Sequence, residues 1–351
     1  YSGGSWSQVG SDINGAGSDR FGRALSISAD GSIVAAGSYA YSGEKGRVQV
    51  YQNDGSDNWV QLGSDLVGER TFDYLGNYES VDLSDDGTII AVGAVAADGA
   101  GDSISGAGDV KVYQYSGGSW SQLGSTLSGT TANAHAGNVS LSADGTILAV
   151  GARLGQNEAG DHTGSTKVYQ YSSGSWSQIG STIYGEDNNE YFGRSVSLSD
   201  DGTRLLVSAY LNDDAATNAG AARLFEYRSG SWVQVGSQIE GANESANLAN
   251  TAIVMSSDGT RFALGATGAE NDAGAVTGHV RAYEITSSTD AADIAAVTAK
   301  TTGTITISNG ISISGTAANV KSALVTDAAA LGAASTVTVS DALSAADAAS
   351  I

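Results

Sequence analysis

Thirty-eight carboxylates, three histidines and no cysteine make up the chemical equipment of this 351-residue chain. Without cysteine there are no disulfides and no thiolate metal centres. His135, His162 and His279 lie far apart and fit no HxH, HExxH or nucleophile-elbow pattern, so zinc hydrolysis and a Ser-His-Asp relay lack local support. Each reads as an ordinary surface histidine. The glycine-rich word GAGSDRFG lacks the Lys-Ser/Thr pair of a phosphate loop and leads into a strand pattern. The acids are the better lead, because they gather between apolar runs: Asp98, Asp102 and Asp109; Glu158 and Asp161; Asp213 and Asp214; Glu270 and Asp272; and Glu186, Asp187 and Glu190. Carboxylates combined with backbone carbonyls suit calcium, which takes about six to eight oxygens. All but the last three are therefore candidate calcium ligands, although no loop repeats a fixed ligand spacing. A carboxylate pair about 5 to 10 Å apart in a pocket would instead suit glycoside hydrolysis.

Charge narrows the partners. The 38 acidic residues face only 16 basic ones, for a formal charge of -22. Such a field repels nucleic acid and anionic membrane surfaces and favours solubility, so a nucleic-acid partner is not expected. No apolar run is long enough for a membrane span. Glycine is frequent, at 48 residues, and proline is absent, so turns must come from Gly, Asn, Asp and Ser.

The elements that position these acids are repeats. All five tryptophans sit in one phrase: GSWSQVG at Trp6, DNWVQLG at Trp59, GSWSQLG at Trp120, GSWSQIG at Trp176 and GSWVQVG at Trp232. A second phrase, SADGS or SDDGT, recurs at Ser28, Ser84, Ser142, Ser199 and Ser256 (there SSDGT). An alternating run precedes it, an apolar run such as TIIAVGA follows it, and a third apolar word such as VKVYQY comes next. Short alternating or β-branched runs bounded by Gly, Ser, Asn and Asp are strand signals. A three-residue x-Asp-Gly loop predicts Leu83 opposite Ile89, Leu141 opposite Ile147 and Ile27 opposite Ile33.

Each unit thus holds four antiparallel strands, the tryptophan strand last. Five units predict a mainly β chain whose residues 1–285 form a five-bladed β-propeller of four-stranded blades. The tryptophans are expected to cover the gaps between blades. The last blade lacks a tryptophan strand and the N-terminal phrase lacks a blade, so residues 5–10 are expected beside 278–285, closing the ring. Tyr1-Ser-Gly-Gly also matches a third strand running into the tryptophan phrase, so the chain reads as part of a longer product. Loops after the second and fourth strands must share one face, and those are the long acidic ones. That face is the predicted binding surface.

The words FGRALSISADGSIVAAGS, LGNYESVDLSDDGTIIAVGA and FGRSVSLSDDGTRLLVSAY resemble FG-GAP repeats of the integrin-alpha propeller type, over about residues 1–285. The wording around them is similar to repeats of large marine microbial surface proteins. The resemblance implies an extracellular or cell-surface adhesive or structural role without catalysis. It does not carry over a calcium loop, because Ser-x-Asp-Gly is too short to wrap the ion. The Phe-Gly pair stands at Phe21-Gly22 and Phe192-Gly193 and is Leu75-Gly76, Ala136-Gly137 and Leu248-Ala249 elsewhere.

Residues 286–351 change to Ala, Ser and Thr and read as a small α+β module. STDAADIAAVTAK predicts a helix capped by Ser288 or Thr289, and TITISNGISIS a hairpin pairing Ile305 with Ile313 and Ile307 with Ile311. TAANVKSALVTDAAALG predicts a second helix, and TVTVS a strand. The composition is similar to Ala/Thr-rich tandem surface-protein repeats, and a core this thin favours self-assembly. The expected whole is an extracellular adhesion, recognition or assembly protein that binds a surface glycan or protein through the acidic long-loop face. The alternative is a carbohydrate-active enzyme using paired carboxylates on that face.

Overall fold

The computed structural model describes residues 4–99, 103–271 and 274–285, with short strands at 288–290, 312–315 and 336–339. The chain divides into two compact units, Tyr1–Tyr283 and Glu284–Ile351. Among the described residues no helix is long and apolar enough to cross a membrane.

The first unit is a five-bladed β-propeller. Blade 1 contains β1 (Phe21–Ile27), β2 (Ile33–Ser38), β3 (Arg47–Asn53), β4 (Trp59–Gln61) and β5 (Leu66–Val67). Blade 2 contains β6 (Val81–Leu83), β7 (Ile89–Ala94), β8 (Asp109–Ser116), β9 (Ser119–Gln122) and β10 (Leu127–Ser128). Blade 3 contains β11 (Ala136–Leu141), β12 (Ile147–Ala152), β13 (Ser165–Ser172), β14 (Ser175–Gln178) and β15 (Ile183–Tyr184). Blade 4 contains β16 (Phe192–Leu198), β17 (Arg204–Ala209), β18 (Ala221–Arg228), β19 (Ser231–Gln234) and β20 (Ile239–Glu240). Blade 5 contains β21 (Leu248–Met255), β22 (Arg261–Ala266) and β23 (His279–Glu284). The expected fourth strand is split: β4 and β5 both pair with β3, and the same holds in blades 2 to 4. Gly63 and its counterparts break it, with φ near +70°.

The hairpin register differs from expectation by one residue. Leu83 pairs with Ile90, Leu141 with Leu148 and Ile27 with Val34. The Thr after the glycine belongs to the turn because the preceding Asp grips it. Asp86 Oδ1 accepts from the Thr88 amide at 2.9 Å, the Thr88 hydroxyl at 2.8 Å and the Ser84 hydroxyl at 2.8 Å. Ser84 Oγ in turn accepts from the Ile89 amide at 3.0 Å. Asp30, Asp144, Asp201 and Asp258 organise the other four turns in the same way.

Blades are joined at three levels. The amides of Ala29, Asp85, Ala143 and Asp200 each donate to the equivalent carbonyl of the next turn, at 2.9 Å. Near the end of each first strand, a side chain accepts an amide from the next blade: Leu83 to Ser26 (3.0 Å), Leu141 to Asp82 (2.8 Å), Leu198 to Ser140 (3.0 Å) and Met255 to Ser197 (3.2 Å). At the other end, the glycine of the AVGA word meets the glycine of the next Phe-Gly word. A Cβ at Gly37, Gly93 or Gly151 would lie 2.0 to 2.2 Å from the facing carbonyl oxygen, so only glycine fits. Between blades 4 and 5 both partners depart together, to Ser208 and Ala249. The apolar core lies in these gaps: one cluster joins Val48 and Val50 of blade 1 to Ile90 and Val92 of blade 2, and blades 2–3 and 3–4 repeat the arrangement.

The tryptophans pack as expected. The indoles of Trp120, Trp176 and Trp232 donate to Leu62, Leu123 and Ile179 carbonyls at 2.8 to 3.1 Å, each carbonyl belonging to the preceding tryptophan phrase. Trp59 donates to the Val9 carbonyl at 3.0 Å, the same bond to the preceding phrase that the other three make. Among the named strands β23 pairs with β22 alone. Leu25 and Ile27 on blade 1 and Val254 on blade 5 are 60 to 65% exposed.

In the second unit, β24 (Ser288–Asp290), β25 (Ser312–Gly315) and β26 (Thr336–Val339) form a parallel sheet in that order. Two expectations fail here. Ser288 to Asp290 are a strand rather than a helix start. Ile313 pairs with Thr289 and Val337, so both edges of β25 are taken and no hairpin partner can reach it. The TVTV strand is present as expected, while Ile305, Ile307, Ile311 and both predicted helix bodies lie outside the described residues.

Candidate functional site

The first strands are innermost, so the residues at their starts, and those just after the second strands, stand nearest the blade axis on the long-loop face. Arg20, Tyr74, His135, Tyr191 and Asn247 hold the first position, all with φ between +49° and +57°. Tyr39, Val95, Arg153, Tyr210 and Thr267 hold the second. Together they form a collar of tyrosines and arginines. Tyr39 and Tyr74 have ring centroids 6.1 Å apart, and Tyr191 and Tyr210 5.5 Å apart.

Blade 2 sends an insertion into the axis. Phe21 precedes Ser28 by seven residues, whereas Leu75 precedes Ser84 by nine. The extra residues carry Tyr78 between two cations, with the Arg23 guanidinium 3.8 Å and that of Arg194 4.6 Å from its ring centroid. Neighbouring Glu79 takes the Val139 amide on its carbonyl at 2.9 Å, and its side chain bonds Ser195. Burial pushes the Glu79 carboxyl up to about 7 against the pull of Ser195 and Arg194, and leaves its Oε2 without a partner.

Beside Tyr78 lies a cavity of about 320 Å³, lined by Tyr74, Tyr78, His135, Arg153, Arg194 and Tyr210 among others and by no carboxylate. Arg153 Nη2 lies 2.8 Å from His135 Nδ1. Burial first, and the charge of Arg153 second, push His135 down to about 4, so at neutral pH the ring is uncharged and Nδ1 can accept that bond. His135 is therefore not the plain surface histidine expected. Burial, then the charge of Arg194, lowers Arg153 from its usual value. Among the described residues neither Arg153 nor Arg194 has an ion-pair partner.

The acids predicted from sequence are dispersed. Asp98 accepts from the Gly106 amide at 3.0 Å and faces Arg70 at 3.8 Å. Asp109 shares a slot of only about 20 Å³ with Glu69, Asp73, Asp98 and Lys111, and burial raises its pKa. Asp161 accepts from Asn157 at 3.3 Å, Asp213 from the Asn218 amide at 2.6 Å, and Asp214 from Asn212 at 3.2 Å. Glu158 and Glu270 are exposed, while Asp102 and Asp272 lie outside the described residues. Among the described residues no three His, Asp or Glu side chains are grouped to hold a metal ion. The long loops do share a face: the His162 amide, after β12, donates to Asn188, after β15, at 2.9 Å. Glu190 is a structural partner, buried and paired with buried Arg223 at 3.0 Å.

Family comparison reaches the same repeat. Residues 185–225 match the model of the FG-GAP repeat. That stretch is blade 4 as far as β18, including the Phe192-Gly193 pair. No curated protein matches the chain. Hydrazine synthase of Kuenenia stuttgartiensis is similar in fold, with 15% identity, a TM-score of 0.50, and coverage of 80% of this chain and 66% of its own. TolB from Acinetobacter baumannii gives 10% identity and a TM-score of 0.44, over 76% of this chain and 52% of its own. The β-propeller domain of the Trilobed protease from Pyrococcus furiosus gives 11% and 0.44, over 74% and 68%. The chain thus spans about half the length of TolB. At such identities the likeness concerns fold alone.

The collar escaped sequence reading because its members are single residues scattered over five repeats. One signal was available. Arg20 precedes a Phe-Gly pair, Arg23 and Arg194 follow one, and Arg153 follows the AVGA word, so four of only 16 basic residues sit at the axial end of their repeats.

Proposed function

We propose that the propeller is an extracellular or cell-surface recognition domain whose long-loop face binds a surface glycan or protein. The cavity at the blade axis carries this reading. It opens among the variable loops, whereas the opposite face consists of turns whose polar groups are bonded to one another. Exposed variable loops on a rigid scaffold are the usual seat of recognition. The FG-GAP repeat in blade 4 supports the same view, since such repeats are typical of extracellular proteins.

The enzyme alternative gains nothing from the geometry. Where acids do gather, around Lys111, the slot of about 20 Å³ has no room for a sugar ring. Calcium is also left out of this reading, because Asp98, Asp161, Asp213 and Asp214 accept hydrogen bonds within their own loops or blade. The second unit would add self-assembly, for which the outer strands β24 and β26 supply pairing edges. Binding of the full chain to a glycan array and to whole cells tests the main reading. Loss of binding after Tyr74→Ala or Tyr210→Ala is expected, and undiminished binding by both variants would refute a long-loop site. Sedimentation of the full chain against residues 1–285 tests the assembly role.

A further inference from the structure

We propose that the axial cavity binds one anionic sugar residue, a uronate or a sulfated monosaccharide, at the end of an otherwise uncharged glycan. This rests on the recognition reading above and adds the ligand's chemistry.

The cations are the first ground. Acids outnumber bases 38 to 16, so a basic group would readily find a carboxylate. Arg47, Lys111, Arg223 and Arg228 each do. Arg153 and Arg194 do not, and Arg194 is only 9% exposed. The Glu79 carboxyl feels the charge of Arg194 but forms no ion pair with it. Among the described residues the Arg194 guanidinium donates no hydrogen bond, and that of Arg153 meets only His135. Two half-desolvated guanidinium groups side by side raise each other's energy, and an anion between them relieves both terms. Guanidinium forks match carboxylate and sulfate oxygens equally well.

The remainder of the cavity selects what carries the anion. Tyr74 and Tyr210 line it with Arg153 and Arg194, which offers aromatic faces beside the charge. A sugar ring has apolar C–H faces suited to such rings and hydroxyls suited to the Tyr210 O–H, that of Tyr74 being donated to Glu44 at 3.2 Å. A volume of about 320 Å³ is at the lower end for ligand pockets, enough for one sugar unit. The long loops carry acids, among them Glu44 bonded to the cavity's Tyr74, Glu158, Asp161, Glu186 and Asp187, and this charge disfavours a polyanion.

The test uses calorimetric titration of the full chain with methyl glucuronide, glucose 6-sulfate, methyl glucoside, acetate and inorganic sulfate. The expected result is binding of at least one charged sugar, about tenfold or more tighter than methyl glucoside and than either free anion. The two charged sugars distinguish carboxylate from sulfate recognition. Arg153→Gln and Arg194→Gln should each weaken that binding about tenfold or more, with Arg228→Gln unchanged. Equal binding of charged and uncharged sugars would overturn the proposal on the wild-type protein alone, even if an arginine variant failed to fold. Free anions binding as tightly as the sugars would overturn the sugar assignment. If no charged sugar binds while cell or array binding persists, this inference fails and the recognition reading survives.

Discussion

On one face of the propeller the loop between first and second strands is five residues long in every blade. On the other, the loops between second and third strands run to 8, 14, 12, 11 and 12 residues. The short turns are bonded alike, each around an aspartate that satisfies two Ser or Thr groups, and neighbouring turns are linked backbone to backbone. The long loops share bonds only near their bases, where the amides of Ala40, Ala96, Leu154, Leu211 and Gly268 donate to Asp19, Asp73, Ala134, Glu190 and Ala246 carbonyls, and they surround a cavity whose Arg153 and Arg194 form no ion pair among the described residues. A turn that satisfies its own polar groups leaves nothing for a ligand, while loops anchored only at their bases can vary without disturbing the blades.

The largest expected effect tests whether the long-loop face is anchored from beneath. Glu190 and Arg223, both about 1% exposed, form a buried pair at the base of the blade 4 loops. Glu190→Gln leaves the buried arginine with only the exposed Glu186 carboxylate, at 3.5 Å, and is expected to cost about 3 kcal/mol in urea denaturation. A loss below about 1 kcal/mol would mean that these loops need no such anchor.

Next comes pH, which separates the two ends of the blades. Burial holds Asp82 up at about 6 and Glu79 up at about 7 in the fold, above their unfolded values of 3.8 and 4.5. Their contribution is complete below the unfolded values and is lost as pH rises through 6 and 7. His135, held down at about 4 against 6.5 unfolded, opposes them, since its contribution is lost as pH falls. Two carboxyls against one histidine leave a net loss of about 1.4 kcal/mol per pH unit between roughly pH 5 and 6. Melting temperatures measured across that range should fall with pH, and Asp82→Asn should flatten the slope. A slope of opposite sign would show these carboxyls to be ionised in the fold.

The hairpin turns predict a smaller change. Asp144 accepts bonds from Ser142 and Thr146 at 2.7 to 2.9 Å, and against the opposing effect of desolvation these hold its carboxyl below its usual value. Asp144→Ala should cost about 1 kcal/mol in denaturant unfolding and leave glycan or cell binding unchanged. Reduced binding would assign function to the hairpin face and undo the contrast between faces. The smallest effect concerns calcium. With the loop acids dispersed, millimolar calcium should move the melting temperature by less than about 1 °C relative to a chelator. A rise of several degrees would restore the loop acids as ligands.

Much of the architecture was legible because it repeats. Five copies of Ser-x-Asp-Gly and of the tryptophan phrase give strand order, blade number and the packing role of Trp120, Trp176 and Trp232, since each copy obeys the same local chemistry. The hairpin register was misjudged by one residue because sequence does not reveal how far the Asp86 carboxylate reaches. In the second unit, local pattern suggested a hairpin at Ile313, but pairing with two distant strands took both edges of β25.

The candidate site lay beyond sequence for a different reason. Composition alone established an acidic, cysteine-free chain poor in bases, and repeat phase alone put the long loops on one face. Which of the few arginines lacked a carboxylate depended on distances between residues from different blades. Arg23, Tyr78 and Arg194 come from blades 1, 2 and 4 and meet only because the innermost strands converge at the axis. Sequence spacing encodes contacts within a blade, where hydrogen-bonded register fixes neighbours. Contacts across the axis depend on how the blades fan around it, and only the tertiary structure decides that.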